Sequence, residues 1–373
     1  MLAKDFQSKP HYDILDGLRG VAALMVMVFH VFDCCSTNLI PHGYLAVDLF
    51  FLLSGFVIGY AYDSRWGEGL TVGRFFRRRL IRLHPMVLAG GALAGIVFLA
   101  LGCVSLDGTP VQLHWALLAT LCCMFLIPTF PGLPTEVRGF GEFFPLNGPF
   151  WSLFYEYIGN ILYALLLRRL STKVLAVISF LSAAMVLQAS VDCGYLGVGW
   201  SAADMGWWYG FVRMLFPYTL GMLMARVFRP IKVRNAFWWC SLLVLLVSFA
   251  PVLGGEANPW MNGLYDFIIV SAVFPLVVWT GASDSSAGKT TVRLSRTLGD
   301  LSYPLYAIHY PFMCILFIHM GFSGDLLDKS VVFASGNWQL ALGIVLLCPI
   351  LAHAIFRFYD KPVRGALTRK LNY

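Results

Sequence analysis

Two side chains set the chemical question. Arg19 stands in Leu15-Asp16-Gly17-Leu18-Arg19-Gly20, and His30 ends the apolar run that begins at Val21. One is a permanent cation; the other exchanges a proton near neutral pH. Eleven residues at 100° each make about 1100°, within about 20° of three full turns, so both leave one helix face about 16 Å apart along it. Ionisable groups are costly inside a membrane segment and mark a pathway or a site. Something here needs a cation and an imidazole in line across a bilayer.

Four further clusters carry chemistry. Gly43-Tyr44-Leu45-Ala46-Val47-Asp48 leads through an apolar stretch to Ser54-Gly55-Phe56, placing Asp48 and Ser54 in a second apolar segment. A helix cap and a small-residue contact are the bland account of that cluster. No Gly-x-Ser-x-Gly elbow surrounds Ser54, which argues against a hydrolase-type nucleophile. In Arg74-Phe75-Phe76-Arg77-Arg78-Arg79-Leu80-Ile81-Arg82, the pairs Arg79/Arg82 and Arg78/Arg82 are three and four residues apart and share helix faces. Such faces hold polyanions through charge-assisted hydrogen bonds, beyond merely orienting a membrane protein. Glu156 follows Trp151-Ser152-Leu153 and lies near 10 Å into its segment by helical rise. Arg19, Arg213 or His30 is its expected partner. Last, Ser302-Tyr303-Pro304-Leu305-Tyr306 precedes His309-Tyr310-Pro311. Two prolines seven apart are expected to distort this helix and free backbone carbonyls.

The elements that must position these groups are membrane helices. Of 373 residues, 58% are hydrophobic and only 13% charged, where a soluble domain is nearer a quarter charged. Segments long enough for a core of about 30 Å occur near 13–35, 44–62, 84–103, 149–168, 174–191, 207–226, 236–254, 264–281, 299–320 and 337–357. The stretch 112–130 is shorter. If it does not cross and the N-terminus is cytoplasmic, one side receives 23 of the 27 Lys and Arg residues; only Arg138 and Lys329 face outward, while Arg19 and Arg213 lie within spans. That asymmetry favours ten spans, both termini cytoplasmic, and 112–130 interfacial or re-entrant. Outer loops then fall at about 36–43, 104–148, 192–206, 255–263 and 321–336. The longest is rich in Gly, Pro and aromatics, which suits a surface that receives a bulky substrate. The expectation is an all-α polytopic bundle forming one integral membrane domain over 1–373. The nine cysteines, including the adjacent Cys34-Cys35 and Cys122-Cys123, lack zinc spacing and read as packing residues. The polar stretch Met1 to Tyr12 leads into a span that keeps its functional residues, so no cleaved signal peptide is expected.

Taken in order from Leu15 to about Arg364, these residues resemble the acyltransferase-3 family of integral membrane acyltransferases. The Arg19-x10-His30 pair looks like its signature, and Val47-Asp48 through Ser54-Gly55-Phe56 is similar to a second motif. Phe76-Arg77-Arg78-Arg79 through Arg82-Leu83-His84-Pro85 looks like its arginine motif. Trp151-Ser152-Leu153-x-x-Glu156 and Ser302-Tyr303-Pro304-Leu305-Tyr306-x-x-His309 match further patterns. Asp360 stands where the family often has Glu, and His84 precedes Pro85 where an apolar residue is more usual.

The resemblance implies transfer of an acyl group, most often acetyl from cytosolic acetyl-CoA, to a hydroxyl of an outward-facing carbohydrate or glycolipid, in a bacterial inner membrane. Arg78, Arg79 and Arg82 would hold the nucleotide phosphates, and Arg19 a phosphate or the thioester carbonyl. His30 would act as general base, oriented by Glu156 or Asp48. Tyr306 or Ser302 would donate to the developing oxyanion, with Trp151, Ser152 and His309 as further substrate-side candidates. A covalent relay through His30 or Ser54 is an alternative. No metal and no nucleic-acid partner are expected, and the oligomeric state is not legible. The competing class is a transporter using embedded His and Arg as a proton or anion path. It lacks an inverted repeat and would not require the arginine cluster.

Overall fold

The computed structural model describes residues 11–33, 39–105, 107–202, 205–284, 287–319 and 338–371. Lys4, Lys9, Cys34, Cys35, the expected outer loop at 321–336 and its Lys329 lie outside the described residues. Among the described residues there are helices and no strands, with two isolated β-bridges, Val104 to Pro110 and Glu142 to Ser201. In chain order the helices are α1 (Asp13–Asp33), α2 (Ala46–Tyr62), α3 (Val72–Ala100), α4 (Leu113–Met124), α5 (Phe150–Leu165), α6 (Thr172–Cys193) and α7 (Gly206–Val227). They continue with α8 (Ala236–Ser248), α9 (Trp260–Ile268), α10 (Phe274–Ser283), α11 (Lys289–His319), α12 (Trp338–Ile355) and α13 (Lys361–Lys370).

Among the described residues, seven helical stretches are long and apolar enough to cross a membrane, and they coincide with seven of the ten expected spans. The expected spans near 207–226 and 299–320 fall on α7 and α11, while that near 236–254 meets the shorter α8. The 12-residue α4 rises only about 18 Å, too little for a bilayer core. The helix carrying the arginine cluster begins earlier than its span: Thr71 caps α3 by accepting from the Arg74 amide at 3.2 Å, so the arginines occupy the first turns of the same helix.

Two pairings dominate the bundle, α1 along α11 and α2 along α7. Both close on glycine. A Cβ on Gly20 would stand 2.4 Å from the Leu298 carbonyl oxygen, and one on Gly55 only 2.0 Å from that of Tyr218. Small residues permit such backbone approach where lipid supplies no hydrophobic drive.

The two prolines do not break α11, which runs unbroken from Lys289 to His319. The freed carbonyl is nevertheless there. Pro311 cannot bond the Ala307 oxygen, and Asn147 Nδ2 from the α4–α5 loop donates to it at 2.9 Å. Elsewhere the helical ladder loosens into single π turns, Ile269–Val273 between α9 and α10 and Phe356–Asp360 between α12 and α13. Such turns are common where a side chain has to be re-aimed.

Candidate functional site

The α1/α11 seam carries functional groups at both of its ends. Near the arginine cluster, Arg19 Nε donates to Ser302 Oγ at 2.9 Å and Nη2 to the Gly299 carbonyl at 3.3 Å, with Asp16 Oδ1 3.1 Å away. Three turns along, His30 Nδ1 lies 3.1 Å from His309 Nε2. His309 Nδ1 is within 3.1 Å of the Leu305 and Tyr306 carbonyl oxygens, which only accept. That nitrogen must carry the proton, so a neutral His309 presents a lone pair at Nε2. His30 therefore donates from Nδ1, and its own basic lone pair is on Nε2.

A cavity of about 280 Å³ runs beside the seam. Arg19, Arg79, Arg82 and Ser54 line it, and Ser152 and Tyr306 close the end nearest the histidines. Ser152 Oγ and Tyr306 Oη are 2.6 Å apart, and the Tyr306 ring stands 5.8 Å from that of His309. Glu156 also faces this cavity. Its Oε1 accepts from Arg79 Nη2 at 2.9 Å and from Ser54 Oγ at 3.0 Å. The partner of Glu156 is thus Arg79, because α3 lies against α5. No glycine elbow announced the carboxylate beside Ser54.

A second cavity, about 510 Å³, opens among Arg78, Arg82, Lys361, Arg364 and Thr368. Arg82 and Arg364 line both cavities. The charges in this second lining are all positive, which suits phosphate. The Nε atoms of Arg79, in the first lining, and of Arg364, in both, are buried without a hydrogen-bond partner.

Asp48 is not brought to His30. Its carboxylate is gripped by Arg213, Nε at 3.0 Å and Nη2 at 2.7 Å, while the same guanidinium donates to the Val198 and Tyr44 carbonyls. Trp151 packs its ring 5.3 Å from that guanidinium. A second buried pair lies close by, His42 Nδ1 to Asp266 Oδ1 at 2.9 Å, with Tyr44 donating to the same carboxylate. These partners link α2, α7, α9 and the loops between them.

Several site residues escaped the sequence reading. His11, Asp16, Asp300, Asp360 and Arg364 all line the first cavity. Asp16 precedes Arg19 by three residues and Asp360 precedes Arg364 by four, so their ion pairs of 3.1 and 2.7 Å were available from helical spacing alone. Glu142, in the α4–α5 loop, was also missed as a site residue. It is buried, accepts from Tyr310 Oη at 2.5 Å, and is pushed up to about 7 by that burial, against the opposing pull of the Tyr310 bond and the Arg138 charge.

The acyltransferase-domain family model matches residues 12–356. "Protein 2 in picA locus" of Rhizobium radiobacter is 35% identical over 50% of this chain and 98% of that protein. "Acyltransferase MdmB" of Streptomyces mycarofaciens is 26% identical over 95% of this chain and 92% of that one. "O-acetyltransferase OatA" of Staphylococcus aureus (strain NCTC 8325 / PS 47) is 23% identical over 94% of this chain, which spans only 57% of that longer protein. No solved structure matches the chain. Five motifs in sequence, a bundle of apolar helices around an arginine- and histidine-bearing seam, and a match across nearly the whole chain give one conclusion: the chain belongs to the acyltransferase-3 family and is a multi-pass membrane O-acyltransferase.

Proposed function

We propose that the chain takes an acetyl group from cytosolic acetyl-CoA and passes it to a hydroxyl of an outward-facing carbohydrate or glycolipid, as an integral protein of a bacterial inner membrane with ten spans. The observation that carries this reading is the unbroken succession of groups. An all-positive cavity shares Arg82 and Arg364 with a second cavity, which ends at Ser152 and Tyr306 beside the His309–His30 pair. The O-acetyltransferase name of the staphylococcal relative supports acetyl as the group moved.

The lining suits the donor. Arg78, Arg82, Lys361 and Arg364 would bind its phosphates, and the buried unpartnered Nε atoms of Arg79 and Arg364 are donors awaiting an acceptor. Arg19 would hold a phosphate or polarise the thioester carbonyl. His30 takes the hydroxyl proton on Nε2 as the sugar oxygen attacks the thioester carbonyl, the carbon–sulfur bond breaks, and the imidazolium gives the proton to the departing CoA thiolate. Between those two proton transfers His309 accepts more strongly from the charged imidazole, fixing its orientation. Ser152 and Tyr306 would donate to the oxyanion by exchanging their bonds to each other and to the Pro149 carbonyl. Glu156 and Asp48 act differently: one holds Arg79 and Ser54, the other Arg213, so both shape the path instead of touching the base.

Purified protein in detergent with labelled acetyl-CoA and candidate glycans tests this directly. Label in the glycan is expected. Label transferred to no acceptor from any acyl-CoA, with solute movement in liposomes instead, would overturn it.

A further inference from the structure

The loop between α4 and α5 reaches the histidine pair through one carboxylate. Residues 141–143 are pinned to 200–202: the Phe143 amide donates to the Trp200 carbonyl at 3.0 Å and the Ala202 amide to that of Gly141 at 3.0 Å. Asn147 fastens the same loop to α11 at Ala307. Between these anchors Glu142 receives the Tyr310 hydroxyl at 2.5 Å. Gly148 makes room for the pair, since a Cβ there would stand 2.7 Å from Glu142 Oε1 and 2.8 Å from Tyr310 Cζ. The Tyr310 ring meets the His30 imidazole edge-on, centroids 5.8 Å apart and planes at 90°. His30 is thus held on one side by His309 and on another by a tyrosine whose far end is tied to the loop. Arg138 and Glu136 of the loop and Cys314 of α11 are the other ionisable groups facing this carboxylate or its neighbours.

We infer that Glu142 and Tyr310 are positioning residues for the transfer step: the Glu142–Tyr310 bond locks the tyrosine ring that fixes the plane of the His30 imidazole. This rests on His30 being the base. A carboxylate lodged in an outer loop thereby aims a nitrogen inside the bundle, and the reaction depends on the loop's being seated. Small misplacements of a base are expensive in rate even when nothing that binds substrate has changed.

A double-mutant cycle with steady-state kinetics tests the inference. Tyr310→Phe keeps the ring and loses its anchor; Glu142→Ala loses the anchor from the other side. Each should lower kcat about ten- to a hundredfold, with the KM for acetyl-CoA unchanged. The double variant should be no slower than either single one, because both remove the same bond. Glu142→Gln, which still accepts from the hydroxyl, should recover most of the rate, and Gly148→Ala, which wedges the pair apart, should reproduce the loss. Losses that multiply, a parallel rise in donor KM, or an unaltered kcat in Tyr310→Phe would each overturn the inference. His30→Ala measured alongside separates the two ideas. If it is dead while Tyr310→Phe is normal, only the positioning role fails; if it retains activity, the general-base reading itself is wrong.

Discussion

The two ends of the α1/α11 seam treat charge in opposite ways. At the arginine-rich end, guanidinium groups outnumber their carboxylate partners, line two cavities, and leave buried donors unsatisfied. At the other end, carboxylates and imidazoles are bonded to one another or to a neighbour, Asp48 with Arg213, His42 with Asp266, His30 with His309 and Glu142 with Tyr310, while Arg138 Nε and Nη1 and His42 Nε2 are buried without a partner. An unsatisfied buried donor is costly in an empty bundle and is relieved by an anionic ligand. Groups bonded to one another in this way hold geometry. On the proposed function, one end binds the donor and the other aims the base.

Changes that break each end should therefore fail in different observables. The largest effect belongs to the proposed base: His30→Ala should reduce transfer about 10²- to 10⁴-fold, while labelled acetyl-CoA still binds the purified protein. Next comes the aiming scaffold. Asp48→Asn strands a buried guanidinium, and losing one partner of such a pair costs about 3–5 kcal/mol; thermal unfolding in detergent should show a lower midpoint. A protein as heat-stable as wild type would deny the pair that role. Smaller is the effect at the binding end. Arg82→Met should raise the KM for acetyl-CoA about tenfold with kcat little altered, the cost of one hydrogen bond to a charged group. An equal fall in kcat would move Arg82 from binding into the chemistry.

The smallest effect is a pH dependence. Burial lifts the Glu142 carboxyl from 4.5 to about 7, so the folded state holds that proton more tightly than the unfolded chain does. Its contribution is fully present below about pH 4.5 and is lost as pH rises through about 7. The unfolding midpoint should decline across that window more steeply in wild type than in Glu142→Gln. Parallel curves would remove Glu142 as the source.

Helical periodicity exposed much of the binding end, because Arg79 and Arg82 belong to one helix and Arg19 to a pattern with His30. The aiming end depends on partners distant in the chain. His30 and His309 are 279 residues apart, Asp48 and Arg213 165 apart, and no local spacing encodes such encounters. Glu156 illustrates the same boundary: its depth in the segment was legible, but its choice of Arg79 required knowing that α3 lies against α5. The pairing of Asp360 with Arg364 was legible from spacing, but the place of Asp360 in the cavity lining was hidden for another reason. It ends a π turn, and an extra residue in the ladder rotates the side chains beyond it away from the face that a 3.6-residue period assigns.

The continuity of α1 bears on donor choice. Arg19 and His30 belong to the same unbroken helix, so their separation of about 16 Å is set by helical rise and cannot stretch or shorten as an interhelical gap would. Glycine contact with α11 also keeps that helix from sliding along its neighbour. Under the proposed function, with the donor anchored by a phosphate at Arg19, the seam would be a fixed-length gauge: the acyl group would be delivered only if the carrier's arm matches that reach. Extending the acyl chain beyond the thioester leaves the fit of the arm untouched, whereas trimming the arm leaves the carbonyl short of the imidazole.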